Sequence, residues 1–173
     1  MLITLSSGQQ REYPDGTTGM EIAKSISAEF AQKVIGIFVN GKKYDLSRKI
    51  NEDGIVRFIT FDDDEGKEIF WHSSAHLMAE AVKSLYPGTK FGVGPAIEQG
   101  FYYDMELPEG INLTSEDIPK IESKMKELAQ RDGQFQRFEI SWDEAVEYFK
   151  KEGDPYKLEI LEGLKDEEIT LYK

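Results

Sequence analysis

The sequence contains no cysteine, which excludes disulfides, thiolate zinc sites and a cysteine nucleophile within these residues. Any metal would have to be held by imidazoles and carboxylates. Histidine is scarce too, with 2 in 173 residues. No stretch approaches the ~18 apolar residues of a membrane span, and Met1-Leu2-Ile3-Thr4-Leu5-Ser6 lacks the basic start of a secretion signal. The simplest compartment is therefore the cytoplasm, with no membrane partner. Basic charge is in deficit, 21 Lys+Arg against 33 Asp+Glu for a net −12, while 39% hydrophobic residues suffice for a core in one large or two small domains.

The charge is uneven along the chain. Residues 1–61 hold 8 Lys+Arg and 7 Asp+Glu; residues 62–173 hold 13 and 26. That asymmetry points to two domains, with Asp62-Asp63-Asp64-Glu65-Gly66-Lys67 reading as a solvated acidic linker. The acidic block repels phosphate at long range, which argues against nonspecific duplex binding. Recognition of a single nucleic-acid terminus by shape and local contacts stays open.

The first block reads as a small mixed domain. Leu2 to Leu5 and Gln10 to Tyr13 flank a Ser-Ser-Gly-Gln turn, a strand–turn–strand pattern. Thr18-Gly19-Met20-Glu21 is a capping box, and Ile22, Ala23, Ile26 and Phe30 follow at helical spacing, predicting one amphipathic helix. Val34 to Val39, the Asn40-Gly41 hairpin signal, Tyr44-Asp45-Leu46 and Ile55 to Thr60 supply three more strands. This order is that of a β-grasp, ubiquitin-like fold. Tyr13, Tyr44 and Asp45 read as ordinary strand and surface residues rather than a site.

The second block opens with a helix that carries both histidines. Trp71, Ala75, Met78, Val82 and Leu85 recur at three- and four-residue intervals, a core-facing stripe. His72 and His76 lie off it, about 40° apart on another face, so both rings can address one atom or one water. Such a pair is either a site or two solvated histidines. Zinc needs three or four ligands, and Ser73 stands where a metalloprotease helix carries glutamate, so the pair is at most a partial metal site.

Downstream, Phe91-Gly92-Val93-Gly94-Pro95-Ala96 and Gly100-Phe101-Tyr102-Tyr103-Asp104 predict short strands and tight turns. The glycine spacing matches neither a P-loop nor a dinucleotide fingerprint. The three aromatics could stack on a base, although alternation sends Tyr102 to the face opposite Phe101 and Tyr103. A helix is expected from Ser115 through Leu128, a strand from Phe135 to Ile140, and a capping box at Ser141-Trp142-Asp143-Glu144 opens a helix ended by Gly153. Asp154-Pro155-Tyr156-Lys157 starts a short helix, Lys157 reading by default as a surface lysine, and Glu167 to Lys173 ends as a strand.

These motifs resemble the N-terminal part of the bacterial threonyl-tRNA synthetases over essentially the whole chain. Residues 1–62 are similar to the TGS domain of that family. His72-Ser73-Ser74-Ala75-His76-Leu77, Gly94-Pro95, Gly100 to Asp104 and Asp154 to Lys157 match its editing domain in order and spacing. The resemblance implies an α+β chain, with a TGS β-grasp at 1–62 and the N-terminal portion of a tRNA-editing domain at 63–173. It further implies a threonine-tRNA ligase, the ATP-dependent enzyme that attaches threonine to its tRNA. This region would hydrolyse seryl-tRNA made in error.

The implied roles are His72 and His76 as catalytic, and Gly94, Tyr103 and Lys157 as substrate-binding. The implied substrate is threonine tRNA, met at its 3′-terminal adenosine and aminoacyl ester. A Cys-x-x-x-His motif that completes the site in the family is absent before Lys173, so the chain is expected to be a fragment, inactive by itself. No cofactor is implied within it. ATP, magnesium and zinc belong to the family's catalytic domain, and homodimerisation to domains outside these residues. Two other readings follow from the residues: an RNA- or ribosome-binding TGS adaptor, and a free-standing metal hydrolase using His72 and His76.

Overall fold

Ile3 and Leu5 alternate with the more exposed Leu2 and Thr4 along β1 (Leu2–Leu5), the period of a half-buried strand. The computed structural model describes residues 1–131, 137–165 and 169–172. Strand β1 turns back into β2 (Gln10–Glu12), and β3 (Thr17–Thr18) leads to α1 (Gly19–Ile26). The predicted capping box is present: the Thr18 side chain accepts from the Glu21 N–H, while the Thr18 N–H donates to the Glu21 carboxylate at 2.8 Å. The single helix expected through Phe30 is instead two. Ser27 is extended, and its hydroxyl accepts from the Phe30 N–H at 2.9 Å, ending α1 and capping α2 (Ala28–Lys33). A serine side chain competes with the helix for backbone groups, and here it wins.

Strand β4 (Val34–Val39) runs through Asn40 (φ 50) and Gly41 (φ 79) into β5 (Lys42–Tyr44), the left-handed pair that a two-residue hairpin requires. Next come β6 (Lys49–Ile50), which makes an unanticipated short ladder with β3, and β7 (Gly54–Thr60). The sheet order is β2-β1-β7-β4-β5, with β1 and β7 parallel and the other neighbours antiparallel. Ile3, Ile22, Ile37, Val39, Ile50 and Val56 form the β-grasp core, each at most 1% exposed.

Helix α3 (Asp64–Leu85) follows. The stretch expected as a linker therefore supplies the first turn of a helix, and the cause is close packing. A Cβ on Gly66 would lie 1.8 Å from the Thr60 carbonyl oxygen, so only glycine fits. Asp63 accepts from the Thr60 N–H at 2.7 Å, Arg57 pairs with Glu65 at 2.6 Å, and Phe61 meets Phe70 edge-to-face. The chain divides into two compact units, Met1–Trp71 and His72–Lys173, so the helix's first turns belong with the sheet.

In the second unit, Ala75, Ala81 and Val82 of α3 are buried, but Leu85 is exposed, so the apolar stripe stops a turn earlier than its spacing predicts. Two ribbons follow: β8 (Lys90–Phe91) pairs with β11 (Met105–Glu106), and β9 (Ala96–Ile97) with β10 (Gly100–Phe101). Helix α4 (Ile118–Gln130) begins after Asp117, whose carboxylate accepts from the Thr114 N–H, its hydroxyl and the Tyr86 hydroxyl. Strand β12 (Arg137–Ile140) precedes α5 (Trp142–Glu152), with the Ser141–Glu144 capping box formed and Gly153 (φ 70) ending the helix. Helix α6 (Pro155–Glu162) is capped by Asp154, and β13 (Ile169–Tyr172) pairs with β12. Ala145, Leu161 and Ile169 centre this core. Phe135 and Gln136 of the expected strand, and Glu167, Glu168 and Lys173 of the last, lie outside the described residues.

Candidate functional site

Successive turns of α3 place His72 and His76 side by side. Their Nε2 atoms are 3.1 Å apart, with ring centres 4.6 Å apart and planes at 87°. At that distance one nitrogen can donate to the other, which of them donates being set by the tautomers. His72 is exposed and His76 half-buried. Burial, then the nearby His72 and Lys157, hold the His76 pKa below its ordinary 6.5, which keeps a neutral imidazole near pH 7.

Lys157 is not the surface lysine of the default reading. The Asp154 side chain accepts from its backbone N–H, and its ammonium donates to the Gly92 carbonyl at 2.9 Å. The same Nζ lies 5.9 Å from the Tyr103 ring centre. Burial lowers the Lys157 pKa, and the Asp154 charge opposes that shift. Tyr103 packs edge-to-face on Phe91 at 5.4 Å, and burial raises its phenol pKa. A Cβ on Gly94 would fall 2.5 to 2.8 Å from Tyr103 ring carbons. The room left at Gly94 is thus filled by the tyrosine ring. Tyr102 is exposed and Phe101 and Tyr103 half-buried, as alternation predicts.

The five residues singled out from sequence fall in two contacting groups, His72 with His76 and Lys157 with Tyr103 and Gly94, and the Lys157 charge acts on His76. Three residues nearby carry no role in the sequence reading: Tyr156, whose hydroxyl donates to Glu106, Glu106 itself, and Lys90, which donates to the same carboxylate at 2.8 Å; Gly92 supplies the acceptor for Lys157. Tyr156 was in view within Asp-Pro-Tyr-Lys, but its acceptor is 50 residues away. A cleft of about 470 Å³ opens between the β8–β11 ribbon and α6, lined by Gly92, Asp104, Glu106, Tyr156 and Glu159 among others. Its carboxylates suit hydrogen-bond donors rather than phosphate. Among the described residues no three His, Cys, Asp or Glu side chains gather to hold a metal ion, and two imidazoles are fewer than zinc requires. Among the same residues no helix is long and apolar enough to cross a membrane.

Residues 1–60 match the family model of the TGS domain. The chain is 52% identical over 171 residues to a threonine--tRNA ligase of Cytophaga hutchinsonii, covering 99% of this chain and 26% of that protein. It is 50% identical over 170 residues to that of Porphyromonas gingivalis strain W83, covering 98% and 26%. With that of Chlorobaculum tepidum the identity is 50% over 168 residues, covering 96% and 25%. The chain spans about a quarter of the length of these curated relatives. It carries a TGS domain on an α+β framework and matches the N-terminal region of threonyl-tRNA synthetases.

Proposed function

We propose that the chain is the N-terminal region of a threonine-tRNA ligase, with a TGS domain at 1–62 and part of an editing domain at 63–173 that hydrolyses mischarged seryl-tRNA. Joining threonine to tRNA, with its ATP, magnesium and zinc, is assigned to the rest of such a ligase, as is dimerisation. The cytoplasm is its assigned compartment. The observation that carries the editing reading is the 3.1 Å His72–His76 contact, with the Lys157 charge near enough to help lower the His76 pKa.

The need for such a site is physical. Serine lacks one methyl of threonine, and a pocket separates such a pair by only ~1–3 kcal/mol. In the proposed reaction a water attacks the ester carbonyl carbon, the acyl–oxygen bond breaks, and the ribose hydroxyl of the terminal adenosine leaves with a proton. His76, neutral near pH 7, takes a proton from the attacking water and returns one to the leaving ribose oxygen, with His72 in contact at 3.1 Å. Lys157 offers a fixed positive charge to the oxyanion, and Tyr103 an aromatic edge to the nucleoside. No step runs through a metal.

The test is a chimera in which residues 1–173 replace the matching part of the Cytophaga hutchinsonii ligase. It should clear seryl-tRNA, and His72→Ala with His76→Ala should slow that hydrolysis by at least ~100-fold while threonylation persists. Unchanged clearance in the double variant would overturn the assignment. A chimera that threonylates but never clears seryl-tRNA would favour the adaptor reading of the TGS domain.

A further inference from the structure

Lys157 is only as well placed as the first turn of α6, and that turn is weakly held from within. Pro155 has no N–H to donate, and the cap bond from the Lys157 N–H to Asp154 is long at 3.3 Å. The helix is 8 residues long, and its far end is tied by the Trp142 indole donating to the Leu161 carbonyl at 2.7 Å. What holds the near end is the β8–β11 ribbon.

That ribbon carries two acceptors for α6. Lys90 stands opposite Glu106 in the ladder, and Gly92 continues it through bonds to Asp104. Neighbouring helix positions diverge by ~100°, so Tyr156 and Lys157 reach the ribbon at separate points. Tyr156 donates to Glu106, which Lys90 also holds at 2.8 Å, and Lys157 donates to the Gly92 carbonyl at 2.9 Å. Tyr156 and Glu106 are exposed and Lys90 is half-buried, and solvated ion pairs add little stability, so the consequence of the group is geometric.

We propose that Tyr156 and Glu106 are positioning residues for Lys157: their hydrogen bond, backed by Lys90, fixes the start of α6 on the ribbon and so holds the Lys157 ammonium at the Gly92 carbonyl. The inference rests on reading Lys157 as part of the hydrolytic site. Its structural half can be measured without activity.

In the 173-residue chain labelled with ¹³C, the Lys157 side-chain signal, identified with Lys157→Arg, is followed through a pH titration. Tyr156→Phe and Glu106→Ala should each move its midpoint up towards the ordinary 10.5. The double variant should move it no further than either single one, because both remove the same tie. Glu106→Gln, which keeps an acceptor for Tyr156, should move it less. In the chimera, Tyr156→Phe should lower kcat for seryl-tRNA clearance by ~10-fold with KM nearly unchanged.

An unmoved Lys157 midpoint in folded Tyr156→Phe and Glu106→Ala overturns the inference. Loss of the fold in all three variants overturns it too, since the tie would then serve the fold. A chimera that never clears seryl-tRNA, with Lys157 responding as expected, would sink the hydrolytic reading and leave the positioning tie standing.

Discussion

The two units are built on different principles. In Met1–Trp71, β-branched side chains such as Ile3, Ile22, Ile37 and Val56 are wholly buried between one five-stranded sheet and α1. Among the described residues of His72–Lys173 the wholly covered side chains are small, Ala75, Ala81 and Ala145 with Val82, while Phe91, Leu161 and Ile169 keep 7%, 4% and 5% exposure. Its strands are paired in two-stranded ribbons. His76, Tyr103 and Lys157, whose pKa values are shifted chiefly by burial, lie in this second unit. Half-burial of such groups is unfavourable to stability and useful to chemistry. One unit is a close-packed scaffold; the other gives up packing to hold polar groups in register.

The largest expected effect is in the scaffold. Ile37→Ala should cost ~2–5 kcal/mol, since the side chain is wholly buried beneath a continuous sheet. Denaturant unfolding read by amide exchange would check it, and a cost below that of exposed-residue substitutions would break the contrast. Gly94→Ala tests the other unit. The new methyl displaces the Tyr103 ring, and clearance of seryl-tRNA by the chimera should fall by ~100-fold. A smaller loss would mean the ring can shift without consequence for the site.

Next in size is Ser141→Ala, which removes a formed capping box and should cost ~1 kcal/mol in thermal unfolding. The smallest effect concerns pH. The folded state holds the His76 pKa below the 6.5 of the unfolded chain, so the unfolded state binds the proton more readily. This contribution to stability is complete above pH 6.5 and is lost as pH falls towards the folded pKa. His76→Gln should flatten the stability curve there, and an unchanged slope would mean that His76 is as solvated as His72.

Much of this was legible because it is local. Thr18 with Glu21, Ser141 with Glu144, Asn40-Gly41 and Gly153 each act within three or four residues, and each does what its chemistry predicts. The His72–His76 pair was visible for the same reason: four residues are one helical turn. The break at Ser27 was also local, but the helical spacing of Ile22, Ile26 and Phe30 masked the serine that interrupts it. What stayed hidden depends on distant partners. Gly66 looked like part of a linker because nothing nearby shows that Thr60's carbonyl lies against it. Lys157 looked like surface because Gly92 and Tyr103 are far away in sequence, and the Tyr156–Glu106 bond has no local signature.

The division between scaffold and site meets its most direct test in a titration of the ¹⁵N-labelled chain with a non-hydrolysable seryl amide of 3′-amino-3′-deoxyadenosine. The amide signals of His72, His76, Gly94, Tyr103 and Lys157 should shift together and saturably, while those of Ile3, Ile37 and Val56 stay in place. Shifts centred on the β-grasp sheet, or none at the two histidines and Lys157 when the analogue is in large excess, would contradict it.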